Sequence, residues 1–395
     1  MLCINGGKPT REKYLPYGKQ FIDDEDIEMV IKTLKSDFLT TGPIVEEFEK
    51  KFAEYVGAKY AVAVSNGTSA LHIAALAANL KEGDEGITTP ITFAASANCI
   101  MYCGAKPVFC DINLKNYNID ENKIESCISE KTKVIVPVDF TGQCCNIEKI
   151  MEIANKHNLI VIQDASHSLG TKYNDKKIGS IAHMTTFSLH PVKTITSGEG
   201  GVVTTNSKEL YEKLILYKTH GISKNKEKLI NKNYPSWYYE QLCLGYNYRI
   251  TDIQCALGIS QLSKIKKFIN KRKYLVSLYD KYLKQVDGLI LQKEEDYSDT
   301  SRHLYIIRLN LDKLKVDRDK IYEALIGENI GVNLHYIPVY KHPYYSENGY
   351  KDILCENAEK FYKSCLTIPL HVNMNEKDIE DVVCAIKKVL DYYKR

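Results

Sequence analysis

The sequence has no long hydrophobic run. Its apolar stretches, such as Tyr60 to Val64, stop far short of the roughly 20 residues that cross a bilayer. Met1 to Lys19 lacks the apolar h-region of a secretory signal. No membrane partner is therefore expected, and the expected location is the cytoplasm. A block of one charge is missing as well: 53 Lys+Arg stand against 50 Asp+Glu, spread along the chain to a formal net charge of +3. That leaves no electrostatic footprint for nucleic acid. The 12 cysteines in 395 residues are scattered, which is the pattern of reduced, buried thiols and not of a disulfide framework. Cys99 with Cys103, and the adjacent Cys144 and Cys145, each lack the second half of a zinc site, so no metal is expected. There is no repeat at solenoid periods.

What is present is ordinary globular usage, 44% hydrophobic and 26% charged. Single cores stop growing at roughly 250 to 300 residues, so a large domain over 15–260 and a smaller one over 261–395 are expected. From about 57 to 205, short β-rich runs alternate with helical stretches, which argues for βαβ units and a parallel or mixed sheet, an α/β fold. Strands are expected at Ala61 to Val64, Gly86 to Thr89, Lys106 to Phe109, Val134 to Asp139, Leu159 to Asp164, Thr185 to Leu189 and Gly201 to Thr205. Ala70 to Leu80 reads as a helix, as does Ile147 to His157, where Ile147, Ile150, Met151 and Ala154 follow the helical period. Residues 224–245 read as a long polar and aromatic excursion, Thr251 to Val286 as one long helical region, and Glu376 to Tyr393 as an amphipathic end.

Three segments carry chemistry. In Phe187 to Gly201 a β-rich run breaks at Lys193, five residues after the hydroxyl of Ser188 and ahead of Gly198, Gly200 and Gly201. A lysine at a strand end beside such close backbone approach suits a Schiff base with a carbonyl cofactor; taken alone it also reads as a surface lysine in a turn. Asp164 ends an apolar run, at the carboxyl edge of a strand where α/β sheets bind ligands. A buried carboxylate needs a cationic partner, and a protonated pyridinium nitrogen is one; alone, Asp164 reads as a helix N-cap. Ser65-Asn-Gly-Thr-Ser-Ala70 is a small-residue turn from strand to helix, suited to a phosphate. Thr68 or Ser69 there can equally cap the helix. Together, in this order, the three describe a pyridoxal phosphate site.

The sequence resembles the DegT/DnrJ-type sugar aminotransferases, a branch of the aspartate-aminotransferase fold (fold type I), from about Tyr17 onward. The likeness is carried by Ser65 to His72, Thr89-Pro-Ile-Thr-Phe93, Gln163-Asp-Ala-Ser-His167, Ser188 to Lys193 with Gly198 to Gly201, and Leu244 to Asp252. Leu189 stands where the family often has phenylalanine. The resemblance implies Lys193 as the Schiff-base lysine and proton shuttle, and Asp164 on the pyridine nitrogen. Ser188, Thr68 and Ser69 are implied on the phosphate, Phe93 against the ring, and His167 near its phenolic oxygen. Asn247 is implied to reach the phosphate from the neighbouring subunit, hence a homodimer with shared sites.

Within the family, Thr88 to Asn98, Gly104 to Val108, the insert around Trp237 to Glu240 and Leu262 resemble members acting on UDP-linked 4-keto-6-deoxy N-acetyl hexoses. By that likeness Tyr17, Gly67, the segment Asp37-Phe38-Leu39-Thr40, and Asn333-Leu334-His335-Tyr336 contact the nucleotide sugar, with L-glutamate as the amino donor. Other keto sugar nucleotides, a keto-cyclitol, and a sensor that binds the cofactor without turnover stand as alternatives. Among the remaining polar residues, His190 reads as a turn histidine or an acid-base group, and His72 as a packed core histidine. Arg249 reads as a dimer contact or a salt bridge at a helix start.

Overall fold

The computed structural model describes residues 1–231 and 233–395. A seven-stranded sheet is formed by β1 (Tyr60–Val64), β2 (Glu85–Thr88), β3 (Lys106–Phe109), β4 (Thr132–Val136), β5 (Ile160–Asp164), β6 (Met184–Ser188) and β7 (Gly201–Thr205). Their order is β1-β7-β6-β5-β4-β2-β3. The pairs from β6 through β3 are parallel, while β7 runs antiparallel to both β1 and β6.

Both faces of this sheet are covered, so successive residues of a strand enter opposite cores. Ile135, Val161, Phe187 and Val202 enter a core with Phe48, Phe52 and Phe268. Their chain neighbours Val134, Ile162 and Val203 enter a second core with Leu71, Ile73 and Ile100 on the opposite face. A smaller antiparallel sheet, β8 (Leu289–Leu291), β9 (Tyr305–Leu309) and β10 (Cys365–Ile368), carries its own core with Ile321, Leu325, Val382, Ile386 and Val389. Leu2 and Leu15 pack into that core too.

The expected helical run from Thr251 to Val286 is two helices, Asp252–Ser263 and Ile265–Leu283. They meet at Lys264, whose ammonium group bonds the carboxylates of Asp23 and Asp26. The second helix bridges the two cores, placing Phe268 and Ile269 in the first and Leu275, Tyr279 and Leu283 in that of the smaller sheet. In the excursion at 224–245, Ile222–Ser223 pairs with Glu240–Gln241, and the Glu240 carboxylate accepts from the amides of Ile230 and Asn231. Lys232 lies outside the described residues. No helix among the described residues is long and apolar enough to cross a membrane, and none of their His, Cys, Asp and Glu side chains form a cluster that would hold a metal ion.

Candidate active site

The topology brings the chemistry-bearing residues to one edge of the large sheet. Val64 and Ser188 each stand opposite Gly201, and Asp164 stands opposite Thr186. The carboxyl ends of β1, β5 and β6 therefore converge with the first residue of β7, where a cavity of about 840 Å³ opens.

The turn after β1 becomes the start of helix Gly67–Ala77, and Asn66 caps it, its side chain accepting from the Ser69 amide at 2.8 Å. The cap is thus neither Thr68 nor Ser69. The Ser69 hydroxyl joins the cap network, 3.0 Å from Asn66 Oδ1 and 3.1 Å from Ser65 Oγ. As the first two residues of the helix, Gly67 and Thr68 present amide N–H groups that have no intrahelical acceptor. Ser188 closes the other side. A Cβ added to Gly67 would lie 2.9 Å from the Cβ of Ser188, and one added to Gly201 would lie 2.2 Å from the Asn66 carbonyl oxygen. Glycine at these positions is what lets two backbones and a hydroxyl close into an anion cradle at a helix N-terminus.

Asp164 is 5% exposed. Its Oδ2 accepts from Ser96 Oγ at 2.6 Å and its Oδ1 from the Ser166 amide at 3.1 Å. No ion pair engages it among the described residues, so the carboxylate keeps room for a charged N–H donor on the cavity side. Lys193 lines the same cavity, and burial lowers its ammonium from the usual value to about 8, against an opposing pull from Asp164. His167 is buried, with Nε2 3.3 Å from the Tyr336 hydroxyl, and its ring centroid is 4.5 Å from that of His303. Burial first, then the neighbouring Lys193, holds His167 neutral, while burial pushes the Tyr336 phenol up. Phe93 stands 62% exposed at the cavity, its ring 6.3 Å from that of Tyr336. An anion cradle, a buried carboxylate with no cationic partner among the described residues and a lysine that holds its proton less tightly than usual fit the phosphate, ring nitrogen and carbonyl of pyridoxal phosphate.

Of the expected substrate contacts, Tyr17, Gly67, Asn333, Leu334, His335 and Tyr336 line this cavity. Asp37, Phe38, Leu39 and Thr40 do not line the cavity of their own chain. Asp37 and Phe38 border a separate hollow with Met29 and Ile44. The Leu39 carbonyl accepts from the Asp252 amide at 3.0 Å, and Thr40 bridges to Thr251. Asn247 is exposed and also stands outside the cavity of its own chain. His190 does line the cavity. His72 is both buried and part of the wall: its Nδ1 lies 3.1 Å from the Tyr248 hydroxyl, and burial lowers it to about 4.

Sequence reasoning missed Ser96, Ser166, Glu199 and His303. Ser96 had a signal, standing one helical turn beyond Phe93 within an already noted segment. Nothing in the sequence marked His303, which comes from just ahead of β9 and so from far along the chain.

Comparison with known proteins gives one consistent result. The spore coat polysaccharide biosynthesis protein SpsC of Bacillus subtilis is 40% identical over 382 residues, covering 96% of this chain and 98% of its own. A UDP-4-amino-4,6-dideoxy-N-acetyl-beta-L-altrosamine transaminase of Campylobacter jejuni is 40% identical over 384 residues, covering 96% and 99%. The structure of Helicobacter pylori PseC, described as an aminotransferase involved in the biosynthesis of pseudoaminic acid, superposes with a TM-score of 0.89 at 33% identity, over 96% of this chain and all of that one, 100%. The sequence profile of the DegT/DnrJ/EryC1/StrS aminotransferase family matches residues 20–387, and the chain belongs to that family.

Proposed function

We propose that this protein moves an amino group from L-glutamate to C4 of a UDP-linked 4-keto-6-deoxy N-acetyl hexose, UDP-2-acetamido-2,6-dideoxy-β-L-arabino-hex-4-ulose, in pseudaminic acid biosynthesis. The observation that carries the chemistry is the single cavity shared by Lys193, Asp164 and the Gly67–Ser188 cradle. The identity of the sugar rests on likeness to the Campylobacter jejuni and Helicobacter pylori relatives.

Pyridoxal phosphate, the cofactor of this aminotransferase, supplies a carbonyl that holds the amino group between substrates and a ring that accepts electrons from the carbon losing its proton. The Gly67 and Thr68 amides and the Ser188 hydroxyl hold its phosphate. Asp164, fixed by Ser96 and Ser166, holds a proton on the ring nitrogen. Lys193 Nζ takes the proton from the α-carbon of glutamate in the first half of the cycle and delivers a proton to C4 of the sugar in the second. Its lowered affinity for protons suits both tasks. Phe93, on the cavity lining, would lie against the ring.

The segments that miss their own cavity support a homodimer. Leu39 and Thr40 are tied to Asp252 and Thr251, a few residues after Asn247, so both expected contact groups lie in one region of the chain's surface. In this reading that region completes the cavity of the second copy. Equal similarity to SpsC favours, as a second reading, another keto sugar nucleotide on the same machinery. Mass spectrometry of the products tests the proposal: one 2-oxoglutarate should form for each amino sugar over many turnovers. Release limited to a single equivalent per protein would contradict it.

A further inference from the structure

Several buried polar atoms without partners gather behind one end of the cavity. Arg272, on helix Ile265–Leu283, is 3% exposed. Its hydrogen bonds go to backbone carbonyls, those of His303 at 3.1 Å, Leu370 at 3.0 Å and Arg302 at 3.5 Å. Its Nε has no partner, and no carboxylate pairs with it among the described residues. Nδ1 of His303 and both ring nitrogens of His371 are buried and unpartnered as well. Burial keeps both imidazoles neutral; His167, Lys193 and then Arg272 add to it at His303, and Arg272 adds to it at His371. Guanidinium does not discharge in a protein, and carbonyl dipoles solvate its charge without cancelling it.

His303 lines the cavity, so this uncompensated cation lies directly behind the wall. The wall itself has no arginine among its lining residues, and its one lysine is Lys193, which must be neutral for part of the cycle. An anionic amino acid thus finds no ion-pair partner on the wall of a single chain. It does find neutral donors at this end. Asn333 uses its side-chain oxygen on the Leu334 amide at 2.8 Å, which leaves its NH₂ for a ligand, and Tyr17 stands beside His335 with ring centroids 5.4 Å apart.

We propose that a carboxylate of the amino donor binds at the His303 end of the cavity, held by neutral donors there and drawn by the charge of Arg272. Arg272 is then a positioning residue that acts through the wall. This inference rests on the reading that an anionic amino acid is the donor, and it adds where that anion sits.

The test uses the holoenzyme and compares Arg272→Met, Arg272→Lys and His303→Leu with the parent. Each half-reaction is timed separately, and binding of glutarate, a dicarboxylate without an amine, is measured by calorimetry. Arg272→Met should raise KM for glutamate and weaken glutarate by about tenfold, the scale of one unit charge acting through protein at reduced dielectric. KM for the keto sugar and kcat should stay within about twofold. Arg272→Lys should recover most of the loss, and His303→Leu, with Arg272 in place, should reproduce it. Unchanged glutamate KM and glutarate affinity in both Arg272→Met and His303→Leu would overturn the proposal. So would an equal loss toward both substrates, the mark of a purely structural arginine. A parent enzyme that neither binds glutarate nor accepts an amine from glutamate would instead overturn the choice of donor.

Discussion

The hydroxyl of Ser96 donates to Oδ2 of Asp164 across 2.6 Å, and Thr92 Oγ1 stands 2.7 Å behind it. This chain fixes the carboxylate that, in the proposed function, would hold the proton on the ring nitrogen. A hydrogen bond to a charged acceptor contributes roughly 1.5–3 kcal/mol. Ser96→Ala should therefore leave the cofactor bound but slow the glutamate half-reaction by about tenfold or more. Single-turnover absorbance of the holoenzyme checks this, and a parental rate would count against the role of Ser96.

Gly67 approaches Ser188 so closely that an added Cβ would sit 2.9 Å from the serine Cβ. Gly67→Ala should weaken pyridoxal phosphate binding by about tenfold or more while the apoprotein keeps its melting temperature within a few degrees, because the strain falls on the cradle and not on the core. Cofactor titration followed by fluorescence, beside a thermal melt, separates the two effects.

Lys193 holds its proton less tightly than usual, at about 8. Only the neutral amine attacks a carbonyl. The rate of cofactor uptake by the apoprotein should climb with pH up to about 8 and level off above it. A rise continuing to the ordinary lysine range, near 10.4, would show that burial does not discharge the amine. Lys193→Ala should bind the cofactor without a covalent link and show no turnover.

Much of this was legible in the sequence because of where the residues lie. The strands are short runs of β-formers such as Val, Ile, Phe and Thr between helical stretches, so β1 to β7 stood out, and the site residues of the large sheet follow its strand ends within a few positions. Boundaries were less legible. The run Val134 to Asp139 stops as a strand at Val136, because Pro137 has no N–H to give the sheet. The first cradle helix begins at Gly67, three residues earlier than its apolar period suggests, since capping by Asn66 and not hydrophobicity sets its start. The break at Lys264 carries no glycine or proline, and the partners of Lys264 there, Asp23 and Asp26, lie far away in the chain, so no local pattern reveals it. His303 and Arg272 escaped notice for the same reason, as their meaning lies in contacts between remote parts of the chain.

Tyr248 holds both the turn after β1 and the helix that follows it: its carbonyl accepts from the Ser65 amide at 2.9 Å, and its hydroxyl lies 3.1 Å from His72 Nδ1. Removing the hydroxyl leaves a buried imidazole nitrogen without its partner, at a cost of about 1–3 kcal/mol. Tyr248→Phe should lower the melting temperature by several degrees and weaken cofactor retention together. Loss of neither, measured by calorimetry and by dialysis against buffer, would show the bond to be incidental.

The most direct test of the proposed activity is absorbance of the glutamate-treated holoenzyme on adding UDP-2-acetamido-2,6-dideoxy-hex-4-ulose, with the β-L-arabino and the D-xylo epimers in separate experiments. The account predicts rapid return of the starting spectrum with the L-arabino epimer and a much slower one with the D-xylo. Return with the D-xylo epimer alone, or with neither, would contradict it.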